Sequence, residues 1–489
     1  VGIIDGKRVE SEDRRGRSGP ASALYFSGFS REFNSDFNFD ISVNQSLDKL
    51  LEGLRVHGTI AYDSRYSHTK RREKSYPTYL TRKDESSPDG YILVKRGQEW
   101  GMGFEESYWK YKKIYSEIGI NYEKSIGNHN FTGLALYNQQ KRWYPNLAQS
   151  DIPTAYIGFV GRITYNYAMK YLFDFNLGYN GSENFAPGKR FGLFPAASAG
   201  WIVSEESFFK DNISIIDYLK FRASYGIVGK DNLGWNRFYY LPDRYSFTGG
   251  YFFGNSRSMS PGAREASLGN PDVTWEKSRK QNYGVEMRAL NQMLGITFEY
   301  FIEHRRDILL TRRSVPAYVA ATLPPVNLGK VDNSGYEVQL NWNQPINDLR
   351  YTVGINFLFA RNKIIFNDEP LSNYEYQWET GRPIGQNFGY EFIGFFKDQK
   401  DIDNSPLYYE GTKPGDVKYK DINGDGVINS ADITAIGYPQ YPEITFGLNG
   451  EIYYKNFDLT FLLQGAANVS IALSDEFIIP YLNDGPVMK

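Results

Sequence analysis

A two-residue apolar rhythm, repeated in separate stretches of the chain, most constrains what it can fold into. In residues 171–179, Tyr171, Phe173, Phe175, Leu177 and Tyr179 are apolar or aromatic, while Asp174, Asn176 and Gly178 between them are polar or small. Successive strand side chains point to opposite faces, so this stretch predicts a strand with one aromatic and one polar face. The rhythm recurs at Tyr336, Val338, Leu340 and Trp342 against Glu337, Gln339 and Asn341. It recurs at Tyr351, Val353, Ile355, Phe357 and Phe359 against Thr352, Gly354 and Asn356, and at Phe457, Leu459, Phe461 and Leu463 against Asp458, Thr460 and Gln464. An apolar outside around a polar inside suits a transmembrane β-barrel, with lipid around it and water within. Alternation of this kind also suits a soluble β-sandwich, so it leaves both open.

Connection lengths separate the two. Short connections are expected near 46–53, 127–130, 167–170, 204–217, 291–295, 344–348 and 454–456. Long ones fall between them, near 64–115, 140–156, 180–192, 227–280, 304–333 and 361–442. Alternating long and short connections put tight turns at one barrel end and large loops at the other, as in outer-membrane barrels. A soluble sandwich has no reason to segregate its loops, and long connections are uncommon in compact soluble domains. The expected fold is all-β, a large antiparallel transmembrane barrel with roughly 14 strands here, each near the ~9–11 residues that cross a bilayer at a tilt. Residues 1–489 are read as one barrel domain.

Composition excludes more than it identifies. The chain carries 55 Lys and Arg against 57 Asp and Glu, a formal charge of -2, which gives no electrostatic reason for a nucleic-acid partner. No run approaches the ~20 apolar residues of a spanning helix. The absence of cysteine suits export through an oxidising compartment. With no Met or signal-like segment at Val1 and a loop-like stretch before Lys489, the chain is expected to be a fragment of a longer exported protein.

From residue 116 onward several blocks occur in a telling order. They are Gly178–Ala186, Gly188–Ala196 with Gly200 and Trp201, Leu219–Gly226, Asn270–Glu276, Asn327–Glu337, Gly415–Ile428 and Tyr454–Asp458. In these blocks the chain resembles the SusC/RagA family of TonB-dependent outer-membrane transporters. The resemblance implies a closed barrel in the bacterial outer membrane, plugged by an N-terminal domain and covered by a SusD-like surface lipoprotein. It further implies energy supplied through TonB, outer-membrane lipid around the wall, and oligosaccharide or oligopeptide cargo. No plug-like segment, TonB box or aromatic-ended final strand is evident, so the plug and last strands are expected to lie outside this fragment.

One motif suggests a metal. In Asp421–Asp432, oxygen ligands stand at loop positions 1, 3, 5, 9 and 12 as Asp421, Asn423, Asp425, Asn429 and Asp432. Gly426 holds position 6, and Val427 at position 7 would offer its carbonyl. This is EF-hand spacing with a shorter Asp at the last position, which suits Ca²⁺, whereas a metal-free Asn-Gly, Asp-Gly turn explains the same residues. The loop is also similar to dockerin calcium loops, but Gly437 and Pro439 interrupt the helix a dockerin needs.

Nothing in the sequence points to catalysis. His57, His68, His129 and His304 are scattered and make no metal-ligand spacing. Glu105–Glu106 and Glu205–Glu206 are adjacent pairs and read as solvated loop charges. Lys70–Arg71–Arg72 is placed in a long loop, within reach of lipopolysaccharide phosphates. Tyr239–Tyr240 and Tyr374, Tyr376 and Trp378 are expected at the outer face, as cargo or partner contacts, loop packing or interfacial girdle.

Overall fold

The computed structural model describes residues 2–9, 28–74, 77–98, 100–143, 152–231, 237–241, 244–255, 257–315, 323–370 and 372–473. Val1 and the expected chain end at Val487–Lys489 lie outside them. Fourteen strands form one antiparallel sheet. They are β1 (Gly28–Ser46), β2 (Leu54–Glu73), β3 (Glu105–Ile126), β4 (His129–Trp143), β5 (Thr154–Tyr167), β6 (Tyr171–Ser182) and β7 (Phe191–Ile202). Then come β8 (Ile216–Lys230), β9 (Glu276–Ala289), β10 (Leu294–Leu310), β11 (Val326–Ile346), β12 (Leu349–Phe366), β13 (Ile444–Tyr454) and β14 (Phe457–Ala467). Each strand pairs with its neighbour in this order, a plain meander. Among the described residues β1 and β14 do not pair with one another, so this sheet is a wall rather than a closed ring.

The segregation of connections matches the expectation. One end of the sheet carries the short ones, at 47–53, 127–128, 168–170, 203–215, 290–293, 347–348 and 455–456. The other carries 74–104, 144–153, 183–190, 231–275, 311–325 and 367–443. Tight turns demand unusual backbone. Ala168 and Met169, the central residues of a tight turn closed by the Lys170 N–H to the Tyr167 carbonyl, both adopt positive φ, although neither residue favours it.

Most strands are longer than the sequence suggested. They run from 11 residues (β13) to 22 (β3), and all but β13 and β14 exceed the ~9–11 that cross a bilayer at a tilt. Lys70, Arg71 and Arg72 consequently lie on β2, not in a loop, and Glu105 and Glu106 open β3. The stretches expected as loops at 64–115 and 304–333 give up their ends to the sheet in the same way.

Register makes the two faces continuous. Phe175 lies opposite Ile163 and Ala197, and Tyr336 lies opposite Tyr300 and Phe359, so apolar residues line one surface. Phe173 and Phe175 are about half exposed there, as lipid-facing residues should be. On the other surface Asp174 meets Thr164 and Ser198, and Gln339 meets Thr297 and Asn356.

Candidate functional site

The polar face is a hydrogen-bonded wall. Arg162 grips Asp174 through both ends of its guanidinium. Arg222 donates to Glu286 at 2.9 Å and to Asn282 at 3.0 Å, and also reaches Glu299. Lys113 Nζ donates to Asp63 at 2.7 Å. Ion pairs of this kind contribute little stability each, but they hold the polar side chains in place along this face.

Four sequence blocks converge where the wall meets its long connections. Phe185, Phe194, Val273 and Trp275 form a buried knot there. The Trp275 ring lies 5.3 Å from Phe185 and 5.1 Å from Phe194, and its indole N–H donates to the Arg190 carbonyl at 3.0 Å. Phe194 lies opposite Gly178, and its ring occupies the space that a Cβ at Gly192 or Gly229 would need. Asn327 locks the same region to the next strand. Its amide accepts from the Thr274 N–H and donates to the Thr274 carbonyl, both at 2.9 Å. The blocks Gly178–Ala186, Gly188–Ala196, Asn270–Glu276 and Asn327–Glu337 thus share one structural task, pinning loops to the rim. Tyr239 packs on this knot, which assigns it to loop packing.

The connection 367–443 is a small folded body. Gln386–Gly389 pairs with Thr434–Pro439, and Phe392–Phe395 pairs with Val417–Tyr419. The body is clamped to the rim by Arg361, whose Nε and Nη2 each donate to Glu443 at 2.7 Å. That contact and a bond from Asn468 hold the Glu443 carboxyl below its ordinary range despite its burial. Arg313 reaches Glu379 from the neighbouring connection at 3.1 Å.

The aspartate loop sits in this body. Asp421 accepts from the Gly424 and Gly426 N–H groups at 2.7 and 2.8 Å. Asp425 accepts from Val427 N–H and from the Asn423 amide, bonds that hold its pKa down, the Asn423 contact foremost. Asn429 accepts from Ala431 N–H. Asp432 is fully buried and turns its two oxygens to the N–H groups of Ile422 and Asn429. Asn429 and Asp432 form a capping box on a 3₁₀ turn, and Thr434 begins a strand. No helix follows the loop, which removes the dockerin reading. The donor set is all oxygen, as a hard cation requires, and a carboxylate oxygen that accepts one N–H keeps a second lone pair. Asp432, expected as the last ligand, is the keystone of the turn. Among the described residues no three His, Cys, Asp or Glu converge on a metal position.

The aromatic cluster predicted near the outer face clamps this loop. Tyr376 donates its hydroxyl to the Ala431 carbonyl at 2.6 Å and stacks on Tyr374. Trp378 donates to the Ser372 carbonyl. These three pack within the body and form no girdle. The girdle is elsewhere. In the 203–215 connection, Glu206 accepts from Tyr171 Oη at 2.7 Å, Lys170 Nζ at 3.0 Å and Trp201 Nε1 at 3.2 Å. The Tyr171 hydroxyl and then Lys170 and Trp201 lower the Glu206 pKa to about 2. Reading Glu205–Glu206 as solvated charge missed this anchor. The signal was the recurrence of Tyr and Trp at strand ends beside an acidic turn.

Comparison with known proteins agrees with this construction. The family model described as TonB dependent receptor-like, beta-barrel, matches residues 5–469. The TonB-dependent receptor P3 of Formosa agariphila is 27% identical over 414 residues, covering 76% of this chain and 40% of that protein. The TonB-dependent receptor SusC of Bacteroides thetaiotaomicron is 28% identical over 418 residues, covering 76% of this chain and 39% of that one. The chain therefore spans less than half the length of these relatives. Among solved structures, the RagAB peptide transporter superposes with a TM-score of 0.65 at 17% identity, covering 89% of this chain and 48% of that one.

Proposed function

Because the chain belongs to the TonB-dependent receptor-like β-barrel family of the bacterial outer membrane, we propose that it forms a large part of the wall of a nutrient importer. The proposed cargo is an oligosaccharide or an oligopeptide. Uptake is driven through TonB, and a SusD-like surface lipoprotein covers the long-connection end. The observation that carries the reading is the two-faced meander: apolar outside, hydrogen-bonded and polar inside, with tight turns at one end and large folded connections at the other. Such a wall would line a hydrated passage, and members of this family are not enzymes. The test is deletion of the gene in its own host, followed by growth on defined oligosaccharides and on defined oligopeptides. Loss of growth on one class, restored by the gene, supports import. Unchanged growth on both classes counts against it.

The aspartate loop is proposed to take Ca²⁺ through Asp421, Asn423, Asp425, Asn429 and the Val427 carbonyl, with Asp432 shaping the turn. The ion would brace the body at 367–443 against the lid protein. Complex formation with the lipoprotein that is unaffected by chelator, together with no calcium detected in the purified protein, would leave the turn metal-free.

A further inference from the structure

Above the apolar band, one sector of the outer surface is strongly basic. Register places Arg31, Lys70, Arg72, Lys110, Lys112 and Lys141 on the same face as the apolar residues Ile60 and Ile118. Arg31 lies opposite Lys70, and Phe29 opposite Arg72. Lys110 lies opposite Tyr66, Lys112 opposite Ser64 and Trp143, and Lys141 opposite Ile114. No register shift interrupts β1 to β4, so the alternation holds along their full length. All six cations are exposed. Against them stands one outward carboxylate, Glu106, bound by Lys70 at 3.2 Å.

Their height is set by counting. The six stand 12 to 18 residues from the short-turn ends of β1, β2, β3 and β4. At a rise of about 3.3 Å per residue and a tilt near 40°, that is ~30–45 Å along the barrel axis, above an apolar band ~25 Å tall. Directly below them the same face is apolar, with Phe37, Phe39, Ile60 and Ile118 all about half exposed or more. Cations over an apolar wall, at the outer boundary of the membrane, match a molecule with phosphates above and acyl chains below. Aromatic rings hold two of the cations outward: Arg72 lies over Phe104 and Lys112 over Trp143, each at 4.3 Å. Further round the wall, outward-facing Arg306 and Arg361 are closed by Asp332 and Glu443, while Lys277 and Arg279 also face outward on β9; β1 to β4 are set apart by carrying six outward cations at this height against a single outward carboxylate.

We propose that this sector is a binding site for the phosphorylated glycolipid of the outer leaflet, with Lys110, Lys112 and Lys141 as its central phosphate contacts. It accounts for Lys70 and Arg72 of the basic run, whereas Arg71 between them faces the other way. The inference requires outer-membrane placement and is independent of the cargo.

The test uses the whole protein, purified from outer membranes and reconstituted in phosphatidylethanolamine nanodiscs containing bis-phosphorylated or dephosphorylated lipid A. Bound lipid is counted by native mass spectrometry for wild type and for the triple variant Lys110→Gln, Lys112→Gln, Lys141→Gln. Wild type should retain bis-phosphorylated lipid A at least fivefold more than dephosphorylated lipid A. The variant should lose that preference while its thermal unfolding midpoint stays unchanged. Equal retention of the two lipids, or a variant indistinguishable from wild type, overturns the proposal. Competition by millimolar inorganic phosphate that removes the lipid preference equally overturns it, because the site would then be a simple anion site. If the protein fails to assemble in the outer membrane, the barrel reading itself fails. Assembly without phosphate-dependent retention defeats only this inference.

Discussion

Arginine placed on either side of one strand should have very different costs. Phe175 and Asn176 are neighbours on β6, yet register puts them on opposite faces of the wall. Phe175 stands four residues from the short turn at Tyr171, ~10 Å up an apolar band ~25 Å tall, close to its middle. Its cross-strand neighbours Ile163 and Ala197 offer no acceptor. Phe175→Arg should therefore cost about 2–4 kcal/mol, the range for a cation near the membrane midplane. Asn176→Arg places its cation in the hydrated lumen, opposite Arg162 and Ala196. Repulsion from Arg162 at contact distance is worth about 1 kcal/mol in water, and Asp174, already bonded to Arg162, offsets part of it. The expected cost is below about 1 kcal/mol. Denaturant unfolding in lipid vesicles, read as the shift in midpoint at constant slope, measures both. Equal costs, or a larger cost at Asn176, would refute the assignment of faces.

The knot at the rim gives a second expectation. Trp275→Ala should destabilise by about 3–5 kcal/mol and expose the 231–275 connection to limited proteolysis, while Trp275→Phe, which loses chiefly the bond to Arg190, should cost about 1–2 kcal/mol. At the turn between β5 and β6, Ala168→Asn with Met169→Gly should stabilise by roughly 1–2 kcal/mol by relieving two positive-φ residues, measured by the same unfolding assay. The Glu206 carboxyl is held down, so its contribution is fully present above its ordinary pKa and is lost as pH falls toward about 2. Stability should therefore fall between about pH 5 and 2, and Glu206→Gln should flatten that limb while lowering stability at neutral pH.

Fourteen strands and both sets of connections were legible because the period-two signal is strong where lipid demands it, as in Tyr171–Tyr179. The upper strand ends were not. There Lys70, Lys110 and Lys112 face outward among solvated neighbours, so the apolar alternation stops although the hydrogen-bonded ladder continues. The rim knot was also hidden. Phe185 and Val273 lie in irregular connections far apart in sequence, and no periodicity links them. The resemblance blocks marked those places without revealing that they meet. The aspartate loop was legible as a loop, since its spacing fixes a turn. The role of Asp432 was not, because burial under Tyr376 and the loop's own N–H groups comes from tertiary packing.

On this reading one end of the wall faces the cell exterior and the other the periplasm, with a membrane between. The chain has no cysteine, so single cysteines report position cleanly. Lys413 lies exposed in the body at 367–443, and Asn128 lies exposed in a two-residue turn at the opposite end. Intact cells expressing Lys413→Cys or Asn128→Cys are treated with a membrane-impermeant maleimide, then compared with lysed cells. Labelling is expected at position 413 in intact cells and at position 128 only after lysis. Labelling of position 128 on intact cells, or equal labelling of both, would contradict it.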